Sequence, residues 1–386
     1  RRRAVYLFPI LMTHETKPTP DDSAAVQLSA RQWLCALGLS LGFAWLLPVA
    51  WTAFESLAPV PHYRVPYELS NDYWLYERWL DQLPPDAIPV VGDSVVWGEY
   101  TAHDGTLSRF LGDATGKPFA NAGINGLYPL ALWGLVEHHG GALANRRVLL
   151  HCNLLWMSDP EADMQLAKEQ VFNHPALVPQ FTPRIPCYRV DTDTRLGRAL
   201  ERRLEPLSWV RHLQQTYFGQ KSAPEWTLAD NGKFPPTYPN TYRLPVGVPL
   251  SAESPSVKRG LASERHKPWS ANQSGQVNME WVTPESSLQW QAFRRLAKRL
   301  QGRGSDLLVV VGPLNEHMMN DATREKYLGF RAAVAAWLSA EGIRFVVPEM
   351  LPSEEFADAS HPLTEGYERL AKRLAAAPVF QSWLGQ

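Results

Sequence analysis

Short, nearly all-apolar runs at 88–93, 118–122, 147–152, 307–311 and 344–347 predict β-strands. Between or after them lie stretches whose apolar positions recur every three or four residues, at 105–111, 127–138, 284–300, 324–340 and 364–374, and these predict helices. A strand that is apolar on both faces is buried on both faces. Alternation with helices supplies the cover, so the pattern predicts a short parallel sheet in a three-layer α/β sandwich. Residues 71–83 predict one more helix, ended by Pro84 and Pro85. Helix 284–300 carries a start signal in Thr283 and Pro284, an N-cap followed by a favourable first helical residue. Its Leu288, Phe293, Leu296 and Leu300 form one face, opposite a basic face of Arg294, Arg295, Lys298 and Arg299 that reads as solvated surface.

Two stretches break the pattern. Residues 33–54 carry no charge and match the roughly 20 residues that span a bilayer core, so they predict one transmembrane helix, in which Pro48 is tolerable. A signal peptide or a buried core helix are the alternatives. Arg1, Arg2, Arg3, Lys17 and Arg31 precede the run and only Arg64 follows closely, which places the N-terminus in the cytoplasm. The chain begins without Met; a start at Met12 leaves Lys17 and Arg31 and the same orientation. The second break is 154–304, which holds nearly half of the chain's 32 prolines. Within it 198–217 has a helical period and 219–282 has none, so it reads as a lid, a small irregular subdomain or a partly disordered segment. Its Trp226, Tyr238, Trp269 and Trp281 could stack on sugar rings, but pinning the insertion to the core is the better reading. The expected organisation is a cytoplasmic segment 1–32, a transmembrane helix 33–54, a linker and leading helix 55–86, and an α/β domain 87–386 interrupted by 154–304.

Composition adds exclusions. An apolar content of 45% is enough to bury a core, and 38 Lys plus Arg against 39 Asp plus Glu gives no footprint for nucleic acid. Cys35, Cys152 and Cys187 show no metal or disulfide spacing; a bridge between the last two is possible, but inert thiols are expected. No phosphate-cradling glycine motif occurs, and no cofactor or metal is expected.

The candidate chemistry lies at strand ends. Ser94 follows the run Val90-Val91-Gly92-Asp93, where a turn would expose its hydroxyl at a sheet edge. A serine hydroxyl needs a base during attack, and His361 stands in the loop before the last long helix, with Asp358 three residues earlier to orient it. Acyl transfer also needs donors for a developing oxyanion. The backbone N–H of Ser94, that of Gly126 after the second strand, and the Asn153 amide at the end of the third are the candidates.

This ordered set resembles the SGNH hydrolase superfamily, the GDSL-type esterases. Gly92-Asp93-Ser94 looks like its first block with Ser94 as nucleophile, Gly126 and Asn153 match the oxyanion donors of its second and third, and Asp358-Ala359-Ser360-His361-Pro362 looks like its last. The third block usually reads Gly-x-Asn-Asp, whereas His151 and Leu154 stand here. The resemblance implies a flavodoxin-like fold and serine ester chemistry. A membrane-anchored member with a long insertion is similar to extracytoplasmic domains that add or remove acyl groups, usually acetyl, on cell-surface polysaccharides. Some of these work beside a multispanning membrane acyltransferase. The partners implied are an acylated glycan or other ester substrate, such an acyltransferase, and the cytoplasmic membrane, with the catalytic domain facing the periplasm or cell exterior. The rivals are a catalytically inactive scaffold for an envelope complex and a lipase or thioesterase with an apolar lid.

Overall fold

A computed structural model describes residues 28–58, 64–170, 172–218, 248–249, 266–272 and 275–385. Five strands form one fully parallel sheet: β1 (Ile88–Gly92), β2 (Phe119–Gly123), β3 (Arg147–Cys152), β4 (Asp306–Val311) and β5 (Arg344–Val346). Their spatial order is β2-β1-β3-β4-β5. The order reverses between β1 and β3, and in such open sheets ligands bind at that reversal, beyond the carboxyl ends of the strands. The five predicted strands are present with ends shifted by no more than a residue.

Alternate strand residues separate into two cores, as the two-residue repeat of a strand requires. Val91, Val148, Leu150, Leu307 and Val309 face one side; Val90, Leu149, Leu308 and Val310 face the other. On the first side pack α2 (Tyr73–Asp81), α5 (Pro129–His139), α8 (Leu288–Gly302) and α9 (Asp321–Ala340). The second side is covered by α4 (Leu107–Thr115), α10 (Thr364–Ala376) and α11 (Pro378–Leu384). Each fully buried valine or leucine contributes about 1.5–3 kcal/mol, which is why all-apolar strands demand cover on both faces.

Two local expectations are corrected. The helix expected from Pro284 begins at Leu288, because Ser287 is its N-cap and accepts from Trp290 N. Asp163, from the insertion, accepts from Ser287 Oγ and from the backbone of Leu288 and Gln289, so a carboxylate distant in sequence satisfies the first amides and overrides the Thr-Pro signal. The single period over 198–217 is two helices, α6 (Thr192–Glu201) and α7 (Glu205–Thr216). Pro206 in the first turn of α7 lacks the N–H that a continuous helix would direct to the carbonyl four residues back, so the helix restarts here, with extended Leu204 as its N-cap.

Where described, the insertion is not a separate body. Leu177, Val178, Ile185, Cys187 and Tyr188 join the first core, and Trp281 packs on Tyr327 and Phe330 of α9. Trp226 and Tyr238 lie outside the described residues. The three cysteines are free, Cys152 and Cys187 buried and Cys35 exposed.

The long helix α1 (Ala30–Phe54) contains Pro48 without ending there and is long and apolar enough to cross a membrane. At 1.5 Å per residue it reaches about 37 Å. Contacts group Leu47–Gln386 as one compact unit and residues up to Leu46 as another.

Candidate active site

Ser94 opens a single turn of helix, α3 (Ser94–Trp97), directly after β1. The turn can lie this close to the sheet because Gly92 has no side chain. A Cβ there would sit 2.4 Å from Val96 Cγ2 and 2.9 Å from His151 Cβ. Asp93 caps the turn by accepting from Val95 N.

His361 is set by a tight loop. Phe356 and Pro362 form an antiparallel bridge, Ala357 N donates to His361 O, and Asp358 Oδ1 accepts from the backbone of Ser360 and His361. This loop meets the Ser94 turn at short range. His361 Nε2 lies 2.8 Å from Ser94 Oγ, and His361 Nδ1 lies 2.8 Å from both Asp358 oxygens. A carboxylate only accepts, so Asp358 holds the proton on Nδ1 and leaves the Nε2 lone pair facing the serine hydroxyl. Burial works against the imidazolium, but the hydrogen bond and charge of Asp358, with Asp93 and Glu99 beyond it, raise the His361 pKa above its ordinary value. Burial likewise opposes the Asp358 charge, and His361 more than compensates, so its pKa is lowered. Asp358 is still 38% exposed, open enough for solvent to screen the pair.

Asp93 is a buried anchor beside Ser94. Its Oδ2 accepts from Asn153 Nδ2 at 2.7 Å and Trp156 Nε1 at 3.0 Å, while Oδ1 is 3.3 Å from His151 Nδ1 without a well-aligned hydrogen bond. Burial would raise its pKa; His151, Trp156 and Asn153 outweigh that and bring it to about 2. One N–H of Asn153 is therefore committed to Asp93. The other has only a long contact, 3.5 Å, to Ser360 Oγ to give up.

Gly126 follows β2 with φ at +77°, a conformation that favours glycine, and a Cβ there would be 3.1 Å from Asn173 Nδ2. The carbonyl of the preceding residue, Asn125, is 2.7 Å from His174 Nε2, and His174 Nδ1 is 3.0 Å from the Tyr73 hydroxyl. A carbonyl cannot donate, so Nε2 carries the proton and Nδ1 accepts from Tyr73. Burial pushes the His174 pKa down to about 4, consistent with a neutral ring. In a trans peptide the N–H points opposite to the C=O, so His174 fixes the direction of the Gly126 N–H. A polar cavity of about 360 Å³ adjoins Gly126, lined among others by Tyr67, Asn71, Asn125, Phe172 and Asn173.

The structure thus brings Ser94, His361 and Asp358 into one hydrogen-bonded line, with Asn153 joined to it through Asp93 and Ser360. Sequence reasoning missed Trp156, His174, Tyr100 and Arg64. Tyr100 meets His361 edge-on at 5.3 Å and stacks near His266 at 4.3 Å. Arg64, fully buried, donates to the carbonyls of Trp97, Gly98 and Thr101 and lies 4.2 Å over the Trp97 ring, holding the segment after Ser94. Trp156 alone had a local signal, three residues after Asn153. The others act across 45 or more positions in chain order or from an unpatterned linker. No protein-family model and no curated protein matches the chain.

Proposed function

We propose that the chain is a serine esterase or O-acyltransferase of SGNH type. It acts on ester-linked acyl groups, acetyl above all, of a cell-surface polysaccharide, and it is held outside the cytoplasmic membrane by α1. The observation that carries this reading is the continuous line Ser94 Oγ, His361 Nε2, His361 Nδ1, Asp358 at 2.8 Å steps. Ser94 Oγ attacks the acyl carbonyl as His361 Nε2 takes its proton. The N–H groups of Ser94 and Gly126 and the second N–H of Asn153, released from Ser360, receive the oxyanion. His361 then returns the proton to the leaving sugar oxygen, and water or a second hydroxyl resolves the acyl-enzyme.

The cavity beside Gly126 supports a hydroxyl-rich substrate rather than a long acyl chain, since amides and a tyrosine line it. Ser94 is largely buried, 9% exposed, rather than open at the sheet edge, and an inactive scaffold offers no reason for a base aligned on its hydroxyl. The test is turnover of an aryl acetate and of an acetylated glycan by Ser94→Ala and His361→Ala. Each variant should lose about 10⁴-fold or more in kcat. Full activity in both would remove the mechanism.

A further inference from the structure

Within the insertion, α6 and α7 pack on each other, and α7 is bound to the end of α1. Trp51, in the last turn of α1, packs edge-on against Trp209 of α7 at 5.9 Å and Tyr217 at 5.5 Å. Glu55, just beyond α1, accepts from Tyr217 Oη and lies 2.8 Å from His212 Nε2, while Arg78 binds both Glu55 and the carbonyl of Thr52. His212 Nδ1 lies 2.7 Å from Asp72, the N-cap of α2, so one buried imidazole joins three elements.

The inward face of α7 is therefore packed against the body, with His212 and Gln215 buried. Its outward side also carries exposed apolar groups. Leu207 and Val210, three residues apart on one side of α7, are 41% and 52% exposed; Leu196 and Leu200, four apart on α6, are 50% and 40% exposed. Among the described residues beyond α1, nine large apolar side chains are this exposed, and four of them lie on this one hairpin. Scattered exposed leucines need no explanation, but a cluster on one amphipathic element does.

We propose that the α6–α7 hairpin lies in the bilayer interface beside α1, with Leu196, Leu200, Leu207 and Val210 turned into the lipid. The occupant is assigned by continuity. The apolar surface of α1 runs to Phe54, and the hairpin is bolted at Trp51 to Glu55, where a membrane-spanning α1 emerges. Tryptophan concentrates at that depth, and Trp51 and Trp209, each half-buried, stand at this end of α1. An amphipathic helix in this position buries its apolar face about 5–10 Å into the headgroup boundary. The insertion then gives the α/β body a second foothold on the membrane. This inference rests on α1 spanning the bilayer and not on the ester chemistry.

The test uses the full chain in nanodiscs containing lipids with a nitroxide near the headgroup, and an environment-sensitive thiol label. Native Cys35, exposed within α1, reports the anchor. In a Cys35→Ala background, Leu207→Cys and Val210→Cys report the hairpin. Leu328→Cys on α9, an exposed leucine outside it, is the reference. Quenching at 207 and 210 at least twofold above that at 328 is expected. Equal quenching at all three, with Cys35 strongly quenched, would overturn the proposal and leave the face to a protein partner. An unquenched Cys35 would overturn the anchor itself, and the foothold with it.

Discussion

His361 and His212 each have an aspartate on Nδ1 at hydrogen-bond distance, and they differ in what meets Nε2. For His361 it is the Ser94 hydroxyl; for His212 it is a second carboxylate, Glu55. A hydroxyl can surrender a proton, so His361 is placed to act as a base while neutral. Two carboxylates can only accept, so both His212 nitrogens donate and the ring is a cation. Burial disfavours that charge, but Asp72 and then Glu55 raise its pKa to about 9. Exposure differs in the same sense, 13% for the His361 side chain and none for His212. With Arg78 on the other Glu55 oxygen, the buried cluster pairs two cations with two anions. The same ring is placed to carry a proton where its partner is a hydroxyl, and ties elements together where its partner is an acid.

The comparison breaks most sharply at Asp358. Asp358→Asn should lower kcat/KM for an aryl acetate by about a thousandfold or more, through loss of the correct His361 tautomer. It should also move the rising limb of the pH profile. His361 must be neutral to act, and its pKa is raised above 6.5 in the folded protein, so wild-type activity should grow with pH through a midpoint above that value. The variant's midpoint should fall, and an unmoved midpoint would deny Asp358 its role.

At the second histidine the expected loss is in stability. His212→Leu leaves Asp72 buried without a cation and Glu55 with Arg78 alone, and should cost about 3–5 kcal/mol in denaturant unfolding. A histidine whose pKa rises from 6.5 unfolded to about 9 folded stabilises fully below 6.5, and that contribution disappears as pH rises through 9. The gap between wild type and variant should therefore narrow over that window. A constant gap would mean the ring is neutral and the contrast with His361 is wrong.

The smallest effect is expected at His174, a positioning residue. His174→Phe removes the donor on the Asn125 carbonyl and should lower kcat about tenfold or more with little change in KM, while His174→Gln, which keeps an N–H, should restore most of it. Equal losses in kcat and 1/KM in both variants would reduce His174 to a packing residue.

Much of the frame was legible because its signals are local. Strands such as 147–152 announce themselves by being apolar on both faces, Ser94 directly follows one of them, and Asp358 with His361 stands in the loop before a helix. Departures came wherever a distant residue decided the outcome. Asp163 moves the start of α8 past Thr283 and Pro284. His212 carries no pattern of its own, because its meaning lies in Glu55 and Asp72, 157 and 140 positions away. His151 reads as a departure from a glycine-containing block, yet it stands against Gly92 and beside Asp93, where only folding brings it.

The most direct measurement is trapping of the full-length protein by a fluorophosphonate, with the adduct located by mass spectrometry. The account predicts a single adduct on Ser94, formed faster as pH rises past the His361 midpoint and lost in His361→Ala. A folded wild type that stays unlabelled, or labels equally well without His361, would contradict it.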